Sequence, residues 1–258
     1  MKTVILCGGM GMRLREETEY RPKPLVPIGG RPILWHIMKC YAHHGFKEFV
    51  LALGYRGWMI KEYFLNYDAM TNDFTVRLGD MPSVRYHGSH AEQDYLVTLT
   101  DTGQDTMTGG RLKRLARHLD EDTFMMTYGD GLANVDLRAL LAFHKQQGKL
   151  ATVTSVRVKS RYGLLAVDET GAVERFAEKP QLGDWSSAGF FVLDRKVIDY
   201  IERDDTIFEQ EPLQRLVAEG QLAAFQHTGS FHTMDTYREY VALNEMWARS
   251  EAPWKIWP

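Results

Sequence analysis

The sequence has little of what marks a small secreted, membrane-spanning or nucleic-acid-binding protein. Its 258 residues contain two cysteines, Cys7 and Cys40. They stand far apart in apolar surroundings, which argues against a disulfide framework or a zinc site and fits buried, reduced thiols. Positive charge is not in excess: 31 Lys and Arg against 34 Asp and Glu give a formal charge of -3, mixed along the chain. No basic stripe is available to neutralise nucleic-acid phosphates, so any phosphate chemistry must be local. No apolar stretch approaches the roughly 20 residues that span a bilayer, and the run after Met1-Lys2-Thr3 is too short for a secretory leader, so a cytoplasmic protein is expected. Linkers, repeats and low-complexity tracts are missing as well. The nine histidines show no metal-site spacing. His43-His44 precedes a helix-ending glycine, and His87 and His90 fall in a polar segment without partner carboxylates, which leaves surface or capping roles.

What is present is a chain with 44% apolar residues, long enough for one large α/β domain. Val4 to Cys7 reads as a buried strand running into the glycine turn Gly8-Gly9-Met10-Gly11. Ile33, Leu34, Ile37, Met38 and Tyr41 repeat at helical spacing from Pro32 until Gly45. A strand over 46–53 and a helix over 58–67 follow, and this alternation implies a mainly parallel sheet covered on both faces. Residues 107–119 read as a helix. Residues 124–128 read as a central strand that delivers Asp130 between Gly129 and Gly131. From Leu150 the alternation suggests antiparallel hairpins, over 150–158 and then 164–167 with 173–176 around the turn Asp168-Glu169-Thr170-Gly171. Another strand over 187–193 and helices over 195–201, 211–219 and 236–248 complete the pattern.

A glycine turn after the first strand suits phosphate binding, because backbone N–H groups can approach an anion closely. The common motifs do not apply. The dinucleotide fingerprint needs glycine where Leu14 stands, and the P-loop needs Gly-Lys-Ser/Thr where Gly11-Met12-Arg13 stands. The turn instead supplies Arg13, and Lys23 follows in a stiff frame between Pro22 and Pro24. Asp130, at a strand's carboxyl end, is a hard oxygen ligand suited to Mg²⁺. Asp235, ahead of the last helix, suits either a second metal ligand or the helix cap. Lys179, before Pro180, is a fixed point charge able to grip a phosphate.

Gly8-Gly9-Met10-Gly11-Met12-Arg13-Leu14, Pro22-Lys23-Pro24, Tyr128-Gly129-Asp130-Gly131, Glu178-Lys179-Pro180 and Met234-Asp235-Thr236, in this order, resemble the sugar-1-phosphate nucleotidylyltransferases. Thr106-Met107-Thr108-Gly109-Gly110-Arg111-Leu112-Lys113-Arg114 and the ending Ala252-Pro253-Trp254-Lys255 resemble the family's cytidylyltransferase members. The resemblance implies a Rossmann-like mixed sheet with a β-rich sugar-binding part, in one domain over 1–258. Its nucleotide-binding half would cover about 1–150 and its sugar-phosphate half 151–258. It also implies transfer of a cytidylyl group from CTP to a sugar 1-phosphate, most simply glucose 1-phosphate, with Mg²⁺ as cofactor and a homo-oligomeric assembly. By the same resemblance Arg13 and Lys23 act on the phosphates, and Leu6, Gly8, Gly9, Gly11, Met12, Thr108, Gly110 and Arg111 bind the nucleotide. Tyr128, Gly163, Glu178, Lys179 and Ser187 bind the sugar phosphate, and Asp130 and Asp235 hold the metal.

Several positions depart from the family pattern. Met12 replaces an expected Thr, Leu164 stands in an expected Phe-Gly-Ala, Ser187 replaces an Asn, and His232 replaces a Gln. The same chemistry with UTP, dTTP or another sugar 1-phosphate therefore stays open, as does a non-catalytic nucleotide-sugar-binding protein. Retention of both aspartates and three cations favours catalysis.

Overall fold

The structure, a computed structural model, describes residues 1–79, 83–158, 162–178 and 183–258. Seven strands form one sheet: β1 (Lys2–Cys7), β2 (Glu48–Leu53), β3 (Leu96–Asp101), β4 (Thr123–Tyr128), β5 (Ala151–Val156), β6 (Ser186–Asp194) and β7 (Leu222–His227). Their spatial order is β7-β5-β6-β4-β1-β2-β3. β1 runs parallel to both β2 and β4, whereas β6 runs antiparallel to β4 and β5. The chain builds outward from β1 to β3 and then returns to lay β4 on the other side of β1. This reversal opens a crevice between the carboxyl ends of β1 and β4, the place where open α/β sheets take ligands.

Strand alternation sorts the side chains into two cores. Ile5, Leu51, Met125 and Val192 pack on one face, and Val4, Leu6, Val50, Met126 and Leu193 on the other. Helices α1 (Ile33–His43), α2 (Gly57–Leu65), α3 (Thr108–Arg114), α4 (Leu137–Gln147), α5 (Glu211–Ala218) and α6 (Tyr237–Ala248) accompany the sheet. The last three strands, all from the second half of the chain, hydrogen-bond into the same sheet as β4. Both cysteines are buried and free. Among the described residues no helix is long and apolar enough to cross a membrane.

Three expectations change. The helix over 107–119 ends at Arg114, because the Leu115 N–H is shared between the Arg111 and Leu112 carbonyls. That tightening leads into a 3-10 turn at Ala116–His118. Residues 151–156 do not form a hairpin. They are β5, buried at every position between β6 and β7. The alternation misleads there because polar side chains are buried along with the apolar ones, two of them with partners: Thr152 Oγ1 lies 2.9 Å from His144 Nδ1, and Ser155 donates to the Phe225 carbonyl. The hairpin is confined to Leu164–Val167 and Val173–Ala177. Finally, β3, β7 and α4 escaped the sequence analysis. The two strands lie at the sheet's edges, where half-burial blurs the period. α4 did carry a signal, with Asp136 capping the Arg138 and Ala139 N–H groups ahead of a Leu137, Leu140, His144 stripe.

Candidate active site

The crevice begins where β1 ends. Gly11 takes a left-handed conformation, with φ of 65°, and its carbonyl accepts from the Leu14 N–H and the Thr18 hydroxyl at 2.9 and 3.0 Å. A 3-10 turn at Met12–Leu14 follows, burying Leu14 and leaving Met12 exposed. The turn aims Arg13 into the crevice.

Lys23 is held by its proline frame. Pro22 is extended, Pro24 lies in the 3-10 turn Lys23–Leu25, and the Lys23 side chain is only 10% exposed. Its ammonium donates to Asp130 Oδ2 at 2.8 Å and to Asp235 Oδ1 at 2.7 Å. Arg13 Nη2 donates to the same Asp235 oxygen at 2.9 Å. A short ladder brings the two carboxylates together. Gly131–Ala133, just after Asp130, pairs antiparallel with Phe231–Thr233, just before Asp235, and the Met234 N–H donates to the Asp130 carbonyl. The alternative role for Asp235 is removed, because Thr236 caps α6 in a reciprocal capping box with Glu239.

The donor set suits a metal shared with substrate. Two hard carboxylate oxygens already converge on one cation, the Lys23 ammonium. Among the described residues no cluster of three or more His, Cys, Asp or Glu could hold a metal by itself. Mg²⁺ commonly uses one or two carboxylates and completes its octahedron with phosphate oxygens and water.

The opposite wall is built on Arg111. Its buried guanidinium gives Nη1 to Leu53 O, Thr102 Oγ1 and Gly103 O at 3.1, 2.8 and 2.7 Å, and Nη2 to Gly8 O and Gln104 O at 3.2 and 3.0 Å. Side-chain atoms on Gly8 or Gly54 would occupy the space it fills: a Cβ at Gly8 would lie 2.1 Å from Arg111 Cζ. Arg111 thus ties together the carboxyl ends of β1 and β2 and the loop after β3. These guanidinium hydrogen bonds go to the protein and hold the walls of the cleft together.

Together these segments enclose a cleft of about 570 Å³ lined by the Gly8–Arg13 loop, Lys23, Thr108, Arg111, Tyr128 and Asp130. Leu6 and Gly9 line it too. Gly110 does not; its α-carbon packs against the Asp204 backbone, where a Cβ would meet Asp204 O at 2.2 Å. Gly163 packs on Phe176, and Glu178 and Ser187 are exposed, all three outside this cleft's walls. Lys179 lies outside the described residues. Cys7 also lines the cleft, but burial, reinforced by Asp130, pushes its thiol well above the ordinary range and keeps it neutral. A covalent cysteine intermediate is thereby disfavoured.

Glu209 went unrecognised. It accepts hydrogen bonds from both Thr108 and Tyr128, and nothing in the sequence distinguishes it from an ordinary acid before a helix. A second cavity, about 580 Å³ and walled by Trp35, Tyr63, Tyr67 and Tyr95, shares no residue with the first. His90 sits there 3.1 Å from Asp68 and 3.5 Å from Glu92, so it does have carboxylate partners. Lys39, 3.2 Å from Glu92, makes the group an ion-pair cluster.

Residues 2–248 match the family described as Nucleotidyl transferase. The chain belongs to that family. It is 48% identical over 260 residues, all of both chains, to a glucose-1-phosphate cytidylyltransferase of Salmonella typhi. Over 258 residues, again all of both chains, it is 43% identical to a probable glucose-1-phosphate cytidylyltransferase of Bacillus subtilis (strain 168). HddC from Yersinia pseudotuberculosis superposes with a TM-score of 0.70 at 22% identity, covering 95% of this chain and 99% of that one, which shows that the two share a fold.

Proposed function

We propose that this nucleotidyltransferase joins CTP to glucose 1-phosphate, giving CDP-glucose and pyrophosphate. The observation that carries the reading is the convergence of Lys23 and Arg13 on the paired carboxylates of Asp130 and Asp235, beside a glycine loop at the sheet's switch point. Full-length similarity to glucose-1-phosphate cytidylyltransferases supplies the choice of substrates.

The sugar phosphate oxygen attacks the α-phosphorus of CTP, a new P–O bond forms, and the bond to the bridging oxygen of the β-phosphate breaks to release pyrophosphate. The nucleophile is already ionised near neutral pH, so the protein's task is positioning and charge neutralisation. The Gly8–Gly11 backbone would receive the triphosphate. Arg13 and Lys23, released from the aspartates by arriving phosphates, would stabilise the negative charge moving toward pyrophosphate. Asp130 and Asp235 would hold Mg²⁺, which when bound supplies charge to the phosphates of both substrates. Lys179 would add a cation for the sugar phosphate.

The assembly is read as homo-oligomeric. The hairpin leaves Leu165, Val167, Val173 and Phe176 each more than half exposed, apolar surface suited to cover by a second copy. Mixing the protein with CTP, glucose 1-phosphate and Mg²⁺ tests the chemistry. CDP-glucose and pyrophosphate should appear in equal amounts and EDTA should stop their formation; CTP binding without either product would leave a nucleotide-binding protein.

A further inference from the structure

Glu209 lies in the loop before α5, outside the cleft's walls, yet it holds two hydroxyls that line the cleft. Thr108, the first residue of α3, donates to Glu209 Oε2 at 2.6 Å, and the Tyr128 hydroxyl donates to Glu209 Oε1. The arrangement is fixed from three sides. The Tyr128 ring lies over Gly189, where a Cβ would come within 2.3 Å of it, and meets Phe191 edge-on at 6.3 Å. Phe208, the residue before Glu209, is fully buried and meets Phe191 edge-on at 5.7 Å, which anchors the chain there. The Phe208 N–H also donates to Thr108 Oγ1 at 2.9 Å.

A carboxylate is an acceptor only, so both hydroxyl protons are committed to Glu209. The Thr108 oxygen has also accepted the Phe208 N–H. What Thr108 and Tyr128 still offer the cleft is lone pairs. A ligand group placed against them must be a donor, such as an exocyclic amino group or a sugar hydroxyl; a base carbonyl would meet a second acceptor.

We propose that Glu209 is a positioning residue that fixes the Thr108 and Tyr128 hydroxyls as hydrogen-bond acceptors, and so makes the cleft select a base bearing an exocyclic amino group over one with a carbonyl in its place. This rests on the reading of the cleft as a CTP site. Glu209→Gln retains size but replaces one acceptor with a donor, so one of the two hydroxyls must turn its proton into the cleft. Steady-state kinetics with CTP and with UTP should show a loss of tenfold or more in kcat/KM for CTP, carried mainly by KM. The UTP-to-CTP ratio of kcat/KM should rise at least tenfold, with Tm close to wild type. In a Tyr128→Phe background only Thr108 needs an acceptor, which the amide oxygen can supply, so adding Glu209→Gln there should change the ratio less than threefold.

An unchanged ratio in Glu209→Gln, or equal losses for CTP and UTP carried by kcat alone, would overturn the inference. Full expression of the Glu209→Gln effect in the Tyr128→Phe background would overturn it too. Wild-type turnover is read first. Absence of CTP turnover there defeats the proposed function, whereas normal CTP turnover with an unchanged variant ratio defeats only the role of Glu209.

Discussion

The Lys23 ammonium lies 2.7 Å from Asp235 Oδ1 and 2.8 Å from Asp130 Oδ2, so one buried cation spans the two carboxylates proposed to hold the metal. A divalent ion entering without nucleotide must compete with that ammonium, whereas triphosphate offers Lys23 new partners and frees the aspartates. Lys23→Met should therefore bind Mn²⁺ more tightly than wild type in the absence of nucleotide, by about tenfold or more if the lost competition is worth about 1.4 kcal/mol. Its turnover should fall by about 10² to 10³, the usual cost of a lost transition-state contact. Mn²⁺ titration followed by electron paramagnetic resonance checks the first claim; equal affinity in the two proteins would contradict it.

Asp235 and Thr236 are neighbours with separate tasks. Asp235→Asn should leave Tm nearly unchanged and reduce kcat by two orders of magnitude or more, since the helix keeps its Thr236 cap. Thr236→Ala should do the reverse, losing about 1 kcal/mol of stability with kcat changed only severalfold. Thermal melts and kcat for the two variants separate the roles.

How far the site could be read in advance depended on distance along the chain. Gly8, Arg13, Lys23 and Asp130 announce themselves through local chemistry: glycines after a strand, a lysine between prolines, an acid at a strand's end. That Asp235 joins Asp130 depends on the ladder between Gly131–Ala133 and Phe231–Thr233, pairing that no local pattern encodes. The resemblance places Arg111 among the nucleotide-binding residues; its structural task as a clamp was not legible, because most of its partners, the carbonyls of Gly8, Leu53, Gly103 and Gln104, are backbone atoms that no local pattern marks. The alternation misleads at β5 because its threonines are buried along with its apolar residues, whereas the exposed hairpin that follows it in the chain keeps the simple alternation.

The Arg111 clamp makes its own prediction. Arg111→Lys keeps the charge but cannot serve five acceptors in a fixed fork, so several buried carbonyls lose their partners. Stability should drop by about 3 kcal/mol. Gly8→Ala forces the same guanidinium out of place and should show a comparable fall. Urea unfolding measures both; a loss under 1 kcal/mol in each would contradict the clamp.

His36 sets a stability limit in acid. It is fully buried beside Trp35 and Trp247, its Nε2 donates to the Ile28 carbonyl at 2.9 Å, and the Trp254 indole lies 3.4 Å from its Nδ1. Burial pulls its pKa from 6.5 down to about 4. The unfolded chain takes up a proton near pH 6.5 that the folded chain refuses until about pH 4. The stability His36 contributes is therefore complete above about pH 6.5 and is lost progressively as pH falls toward 4, by about 3 kcal/mol. His36→Gln, which cannot titrate, should lose correspondingly less between pH 7 and pH 4.5 in urea unfolding; parallel losses in the two proteins would contradict the assignment.

The central claim is cytidylyl transfer to glucose 1-phosphate, and competition among nucleotides tests it most directly. CTP, UTP, dTTP and GTP at equal concentration, with glucose 1-phosphate and Mg²⁺, should yield CDP-glucose as the main product, with kcat/KM for CTP at least tenfold above each rival, about 1.4 kcal/mol of transition-state discrimination. A dominant UDP-, dTDP- or GDP-glucose product, or no nucleotide sugar at all, would contradict the account.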